Sequence, residues 1–147
     1  MQPLVSLCAL SRVFRQKSGI FGATRLLQAV REVNLELFPG RTLGVVGESG
    51  SGKSTLGRMA AGLLPPSSGE VRILGESLYG PRGVVRRPSG GAQMIFQDPY
   101  SSFNPRMRVG KAVEEPLLWT GKPLTPQERR RRVEAALAQV GLDSRQA

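Results

Sequence analysis

The chain of 147 residues contains no histidine and only one cysteine, Cys8. The absence of histidine excludes His-based triads, His general bases and every zinc site that needs imidazole. A lone cysteine cannot form an internal disulfide or a thiolate cluster, so a reducing cytosol is the compartment that fits. Aromatic residues make up 5% of the chain. So few aromatics, with no stacking platform or recognition helix in the sequence, argue against a nucleic-acid-binding module.

Long hydrophobic runs and acidic residues are also scarce. No apolar stretch approaches the ~18 residues of a spanning helix, and the first residues lack the pattern of a signal peptide. The chain has 21 Lys and Arg against 11 Asp and Glu, a net charge of +10. This excess is spread along the chain and selects no partner by itself. With 39% apolar residues, the composition is that of one globular domain or a piece of one.

Short apolar segments between turn signals predict the strands. These lie at residues 4–14, 33–37, 42–46, 71–74 and 94–96. A polar, glycine-containing loop is predicted over residues 15–25, and a helix over 55–64. The order of strand, Gly-rich turn, helix and strand favours an α/β fold with a parallel component.

A second helix has the clearest sequence signals. Thr125-Pro126-Gln127-Glu128 forms a capping box with proline at the first helical position. Apolar residues then recur at helical spacing before a natural stop at Gly141. The predicted buried stripe is Val133, Ala136, Leu137 and Val140.

The segment Gly47–Ser54, called the phosphate loop below, matches the pattern G-x-x-x-x-G-K-[ST]. Its glycines let backbone N–H groups surround an anion, and the N-terminus of the following helix adds favourable partial charge. Lys53 is predicted to reach the β- and γ-phosphates, and the Ser54 hydroxyl to bind Mg²⁺. The predicted nucleotide-binding residues here are Gly47, Glu48, Ser49, Gly50, Ser51, Gly52, Lys53, Ser54 and Thr55.

A second segment narrows the class of nucleotide-binding protein. Segments 47–55 and 93–109 together resemble the ATP-binding subunits of ABC transporters, in particular importers for oligopeptides, dipeptides and nickel. In these the stretch FQDPYSSLNPRM is typical, and this chain differs by Phe103 in place of Leu. The resemblance implies an α/β P-loop NTPase core of the ABC ATPase kind, with an N-terminal antiparallel β subdomain and an incomplete C-terminus.

The resemblance also divides the chain. It implies that residues 1–147 are the N-terminal part of an ABC nucleotide-binding domain. Residues 1–40 would begin the β subdomain, 41–110 would run from the phosphate loop through the Q-loop, and 111–147 would begin the helical subdomain. The family's signature motif, Walker B aspartate, catalytic glutamate and switch histidine have no match here. We therefore expect the chain alone to be marginally stable and not to hydrolyse ATP.

Two further site residues follow from the resemblance. Gln97 resembles the Q-loop glutamine, which senses the γ-phosphate and Mg²⁺ and couples the ATPase to the membrane subunits. It is therefore a predicted catalytic residue and, with Ser54, a predicted Mg²⁺ ligand. Phe14 matches the aromatic residue that stacks on adenine, with Phe21 as the competing candidate.

Two segments imitate other family motifs. Residues 88–93 suggest the signature motif, but they precede a predicted strand and contain an extra Ala92. Residues 94–98 suggest a Walker B strand, but Gln97 interrupts the apolar run and no acidic residue comes directly after Asp98. Neither segment therefore matches the family motif that it resembles.

The expected function is to bind Mg-ATP and energise an ABC importer for peptides, nickel or similar small solutes. Hydrolysis is expected only in the complete dimeric domain. The implied partners are membrane-spanning permease subunits, a second ATP-binding subunit and, indirectly, a solute-binding protein, with no nucleic acid. The implied location is peripheral, at the cytoplasmic face of the inner membrane. The alternative is a small-molecule P-loop kinase, with Arg82, Arg86 and Arg87 in its lid.

Overall fold

The computed structural model describes residues 2–17, 23–80, 92–98, 104–119 and 123–143. The chain forms two compact units, Met1–Met94 and Ile95–Ala147. The described elements of the first unit are β1 (Val5–Lys17), β2 (Thr24–Leu37), α1 (Lys53–Ala60), β3 (Ser68–Ile73) and β4 (Glu76–Ser77). Those of the second are α2 (Val109–Glu114), a 3₁₀ helix (Glu115–Trp119) and α3 (Pro126–Gln139). No helix among the described residues is long and apolar enough to cross a membrane.

The first unit is built on a four-stranded antiparallel sheet in the order β2-β1-β3-β4. Val5 of β1 lies opposite Leu37 on one side and Ile73 on the other. Apolar side chains of the sheet form a core with Met59, the buried residue of α1. Its other buried members are Leu7, Leu10, Val30, Val71, Ile73 and Leu78. Burial of Met59 therefore anchors α1 to the sheet.

Two irregular residues lie on either side of the Leu10–Val33 pair in the β1–β2 ladder. Ala9 and Glu32 both have a φ of +45°, and the register shifts at this point. The Ala9 N–H donates to Asn34 Oδ1 at 2.8 Å, and the Glu32 N–H donates to Ser11 Oγ at 2.8 Å. Side chains thus satisfy backbone donors that the bulges remove from the ladder.

Tyr79 forms hydrogen bonds at the C-terminal end of α1. Its hydroxyl lies 2.7 Å from the carbonyl oxygens of both Met59 and Leu64, and its O–H donates to this pair. Burial raises the pKa of Tyr79. The helix that follows the phosphate loop is therefore held in two ways, by Met59 in the core and by Tyr79 beyond it.

The predicted start of the second helix is confirmed in α3. Thr125 Oγ1 accepts from the Glu128 N–H at 3.2 Å, and the Thr125 N–H donates to Glu128 Oε2 at 2.8 Å. Arg129 forms an ion pair with Glu114 of α2 at 2.9 Å. Of the predicted stripe, Val133 and Leu137 are buried, but Val140 is 70% exposed because it is the cap residue after the last helical turn.

The strands predicted at 42–46 and 94–96 are wrong. Both segments lack regular secondary structure, and Val46 and Ile95 are 93% and 94% exposed. Among the described residues no strand lies beside either segment, so neither has a ladder partner or a covering layer. For the same reason the expected parallel component is not found in the described sheet, which is antiparallel throughout.

The predicted loop and the predicted first helix also differ from the structure at both of their ends. The loop predicted over 15–25 is too long, because β1 extends to Lys17 and β2 begins at Thr24. The predicted helix over 55–64 begins two residues earlier and ends at Ala60. A turn with Gly62 at a φ of +78° ends it. Cross-strand pairing extends the hairpin over polar residues that look like loop in the sequence.

Candidate nucleotide-binding site

The phosphate loop leads directly into α1. Gly52 is the N-cap residue, with a φ of +94°, and no side chain caps this end of the helix. Gly50 has a φ of +81°. The Leu56 N–H makes the first helical bond, to the Gly52 carbonyl, at 2.9 Å. The preceding N–H groups of the first turn are the donors that an anion at a helix N-terminus accepts from.

Gly52 brings the loop backbone against β2. A Cβ atom built on this glycine would lie 2.1 Å from the Ala29 carbonyl oxygen. Such a distance is far inside van der Waals contact, so only glycine fits at this close approach. The same glycine therefore supplies the positive φ of the turn and the space for the loop to lie on the sheet.

The Lys53 ammonium is hydrogen-bonded to the phosphate loop itself. Its Nζ donates to the carbonyl oxygens of Gly47 at 2.8 Å and Glu48 at 2.5 Å, and to Ser51 Oγ at 3.3 Å. These neutral acceptors hold the positive charge at the loop, and no acidic side chain in the described part of the chain forms an ion pair with it. Ser54 follows on the first turn of α1 and is exposed.

Phe14 is half-buried on β1, opposite Leu27 of β2. The guanidinium carbon of Arg12 lies over its ring, 4.8 Å from the centroid. Leu27 is two residues before Ala29, which the phosphate loop approaches. β2 therefore links the position of Phe14 with that of the loop.

The remaining predicted positions are divided between the second unit and undescribed residues. Gln97 belongs to the second unit, where it is exposed in a segment without regular secondary structure. Phe21, residues 88–91 and the arginines of the kinase alternative lie outside the described residues. The roles of Gln97 and Phe21 stay predictions.

The described residues offer no ready-made metal cage. No three His, Cys, Asp or Glu side chains among them lie close enough to hold a metal ion. A Mg²⁺ ion usually keeps several waters and takes one or two protein oxygens together with substrate phosphates. The exposed Ser54 hydroxyl beside the phosphate loop fits that chemistry.

The family model for ABC transporters matches residues 30–147. This chain belongs to the ABC transporter family. The ABC transporter match covers the phosphate loop, α1, Gln97 and all of the second unit. It does not favour the small-molecule kinase alternative.

Curated relatives of this ABC transporter chain agree with the match. It is 41% identical to the dipeptide transport ATP-binding protein DppF of Escherichia coli (strain K12), over 96% of this chain and 42% of that protein. It is 46% identical to the oligopeptide transport ATP-binding protein OppF of Salmonella typhimurium, over 86% of this chain and 38% of that protein. The chain thus spans less than half the length of these two relatives.

Solved structures give the same fold. The dimeric structure of MJ0796, a bacterial ABC transporter cassette, matches with a TM-score of 0.72 and 26% identity, over 97% of this chain and 60% of that chain. A post-hydrolysis state of MJ0796 bound to ADP and Pi matches with a TM-score of 0.73 and 24% identity, over 97% and 60% of the two chains. The fold class is therefore that of an ABC ATPase cassette, as the sequence predicts.

Arg12 contacts the predicted site residue Phe14, and the sequence motifs did not reveal this contact. Its side chain covers the ring of Phe14 and reaches the segment after α1. An arginine two residues before an aromatic residue on a strand was the available signal, since side chains at i and i+2 share a face.

Proposed function

We propose that this chain is the ATP-binding part of an ABC importer for peptides, nickel or similar small solutes, and that it binds Mg-ATP. The observation that carries the proposal is the N-terminus of α1, which no side chain caps, beside the Lys53 ammonium, which pairs with no acidic side chain among the residues that the structure describes. Such an arrangement attracts a polyphosphate through backbone donors and a point charge. The names of the dipeptide and oligopeptide transport relatives support the solute class.

The residues of the loop would act together on the triphosphate. Lys53 exchanges the carbonyl oxygens of Gly47 and Glu48 for β- and γ-phosphate oxygens, which accept more strongly because they are charged. Ser54 and Gln97 are the proposed protein ligands of Mg²⁺, which would neutralise phosphate charge when bound. Glu48 and Ser49 would bring further backbone N–H groups to the site, and the Ser51 N–H would exchange the Glu48 carbonyl, 3.3 Å away, for a phosphate oxygen. Thr55 continues the first turn of α1.

The rest of the function concerns the base and the partners. Phe14 would stack on adenine, and Gln97 would couple the γ-phosphate to the permease subunits. The proposed partners are these membrane-spanning subunits and a second ATP-binding subunit, with a solute-binding protein acting through them. Hydrolysis belongs to the complete dimeric domain at the cytoplasmic face of the membrane.

The test is replacement of the loop ammonium. Lys53→Ala removes the point charge that faces the β- and γ-phosphates, so we expect Mg-ATP affinity to fall by about 100-fold, the usual scale of a lost charge-assisted contact. The measurement is isothermal titration calorimetry. Arg58→Ala, which removes a positive charge from the last turn of the same helix, serves as the control and should leave affinity almost unchanged. Unchanged ATP binding in Lys53→Ala would refute the phosphate-loop assignment.

A further inference from the structure

Arg12 is held in an unusual position in the first unit. Its Nη1 donates to the Pro65 carbonyl oxygen at 2.8 Å, while its guanidinium lies over the Phe14 ring. Its Nε is buried and has no hydrogen-bond partner among the described residues. A buried donor without an acceptor is unfavourable. The side chain therefore keeps this position despite the free-energy cost of its buried Nε donor.

The backbone on both sides of Arg12 is fixed to the same segment. The Ser67 N–H donates to the Ser11 carbonyl at 2.8 Å, and the Val13 N–H donates to Ser67 Oγ at 3.0 Å. Together with the bond to Pro65, these contacts tie three successive residues of β1 to the connection between α1 and β3. The guanidinium thus rests on a rigid support when it contacts the ring.

We propose that Arg12 is a positioning residue that holds the Phe14 ring as a platform for the base of the nucleotide. This inference rests on the proposed function. A cation on one face of an aromatic ring restrains its tilt through the ring quadrupole. Since Arg12 occupies that face, a flat base can stack only on the opposite one. Arg12 therefore selects the side of the ring that receives adenine and does not itself contact the phosphates.

The experiment compares ATP with inorganic tripolyphosphate, which lacks the base. Arg12→Met keeps the length of the side chain but removes the cation. We expect it to weaken ATP binding by about fivefold, the scale of one modest cation–π contact, and to leave tripolyphosphate binding unchanged. In a Phe14→Ala background the same substitution should have no effect on ATP binding. Arg15→Met removes an exposed positive charge from the same strand and controls for charge alone.

Of two further variants, one replaces a misfolded Arg12→Met and the other tests whether a cation restores binding. Arg12→Gln retains a donor for the Pro65 carbonyl and should show the same selective loss, so it replaces Arg12→Met if circular dichroism shows that the latter is unfolded. Arg12→Lys keeps the cation and should restore most of the ATP affinity.

Three results would overturn the inference while the wild-type chain still binds ATP. They are an equal loss of ATP and tripolyphosphate affinity, no loss of either, and an effect that persists without Phe14. If the wild-type chain bound neither ligand, the proposed function itself would fail. If it bound ATP no better than tripolyphosphate, Phe14 would not be a base platform.

Discussion

At the scale of single residues, the candidate site depends on how closely its backbone segments approach. Gly52 lets the phosphate loop lie on Ala29 of β2, and no larger residue fits without moving one of the two backbones. Gly50 shares the positive φ, but a Cβ atom added there would meet nothing within 4 Å. Gly50 is therefore needed only for its left-handed conformation. Gly52 is needed both for that conformation and for the space that a side chain would occupy.

This difference predicts two unequal losses of stability. Gly50→Ala strains only the backbone dihedral, so we expect the free energy of unfolding to fall by about 1 kcal/mol. Gly52→Ala adds the collision with the Ala29 carbonyl and should lower it by about 3 kcal/mol or more. Urea denaturation followed by circular dichroism measures both. Equal losses would show that the loop does not lie on β2 as described.

At the scale of elements, local signals predicted α3 well and the segment 42–46 badly. The capping box of Thr125 and Glu128 acts within four residues, so the sequence contains all that the helix start requires. A buried strand depends on neighbours that no local pattern supplies, and Val46 is exposed because no described strand lies beside it. The phosphate loop could be predicted from its own eight residues. The contact of Arg12 with Pro65 could not, because it joins residues 53 positions apart.

The capping box predicts how α3 responds to acid. The Thr125 hydroxyl and then the Thr125 N–H donate to the Glu128 carboxylate and hold its pKa below the ordinary range. Because the folded-state pKa is the lower one, the stabilisation is complete above about pH 4.3, the unfolded value, and is lost as the pH falls through the folded value. Glu128→Gln removes this titration, so its difference in helicity from the wild type should shrink in acid.

Far-UV circular dichroism between neutral and acidic pH measures that difference. Glu134→Gln removes the same charge from α3 away from its cap, together with an exposed ion pair to Arg130 of the kind that contributes little to stability, and serves as the control. It should not reproduce the pH dependence of Glu128→Gln. A constant difference between Glu128→Gln and the wild type at every pH would contradict the account of the cap.

At the scale of the whole molecule, binding and hydrolysis place different demands on the chain. The proposed contacts of the first unit with ATP come from one loop, one helix N-terminus and one strand. Hydrolysis also needs groups that position the attacking water and stabilise transferred charge. The family's catalytic glutamate and switch histidine have no match among these 147 residues. Exposed apolar side chains such as Val46 and Ile95 also leave hydrophobic surface in water.

We therefore expect the 147-residue chain to bind Mg-ATP without turning it over, and to unfold at low denaturant concentration. Exposed apolar surface removes part of a stability that is only about 5–15 kcal/mol in intact domains. Phosphate release from ATP measures the first property, and urea denaturation the second. Lys53→Ala supplies the background rate. Turnover that Lys53→Ala abolishes, together with a steep unfolding transition, would contradict this expectation.

The two neighbouring bulges of the β1–β2 hairpin have a consequence for the size of the ligand. Ala9 and Glu32, fixed by Asn34 and Ser11, prevent the two strands from sliding past each other by one residue. Phe14 sits on one strand, and the phosphate loop rests on the other. On the proposed function, the fixed register of β1 against β2 sets the distance between the bound base and the phosphates. The register of the two strands then determines the length of the nucleotide that fits. Substitutions within the phosphate loop do not change this register.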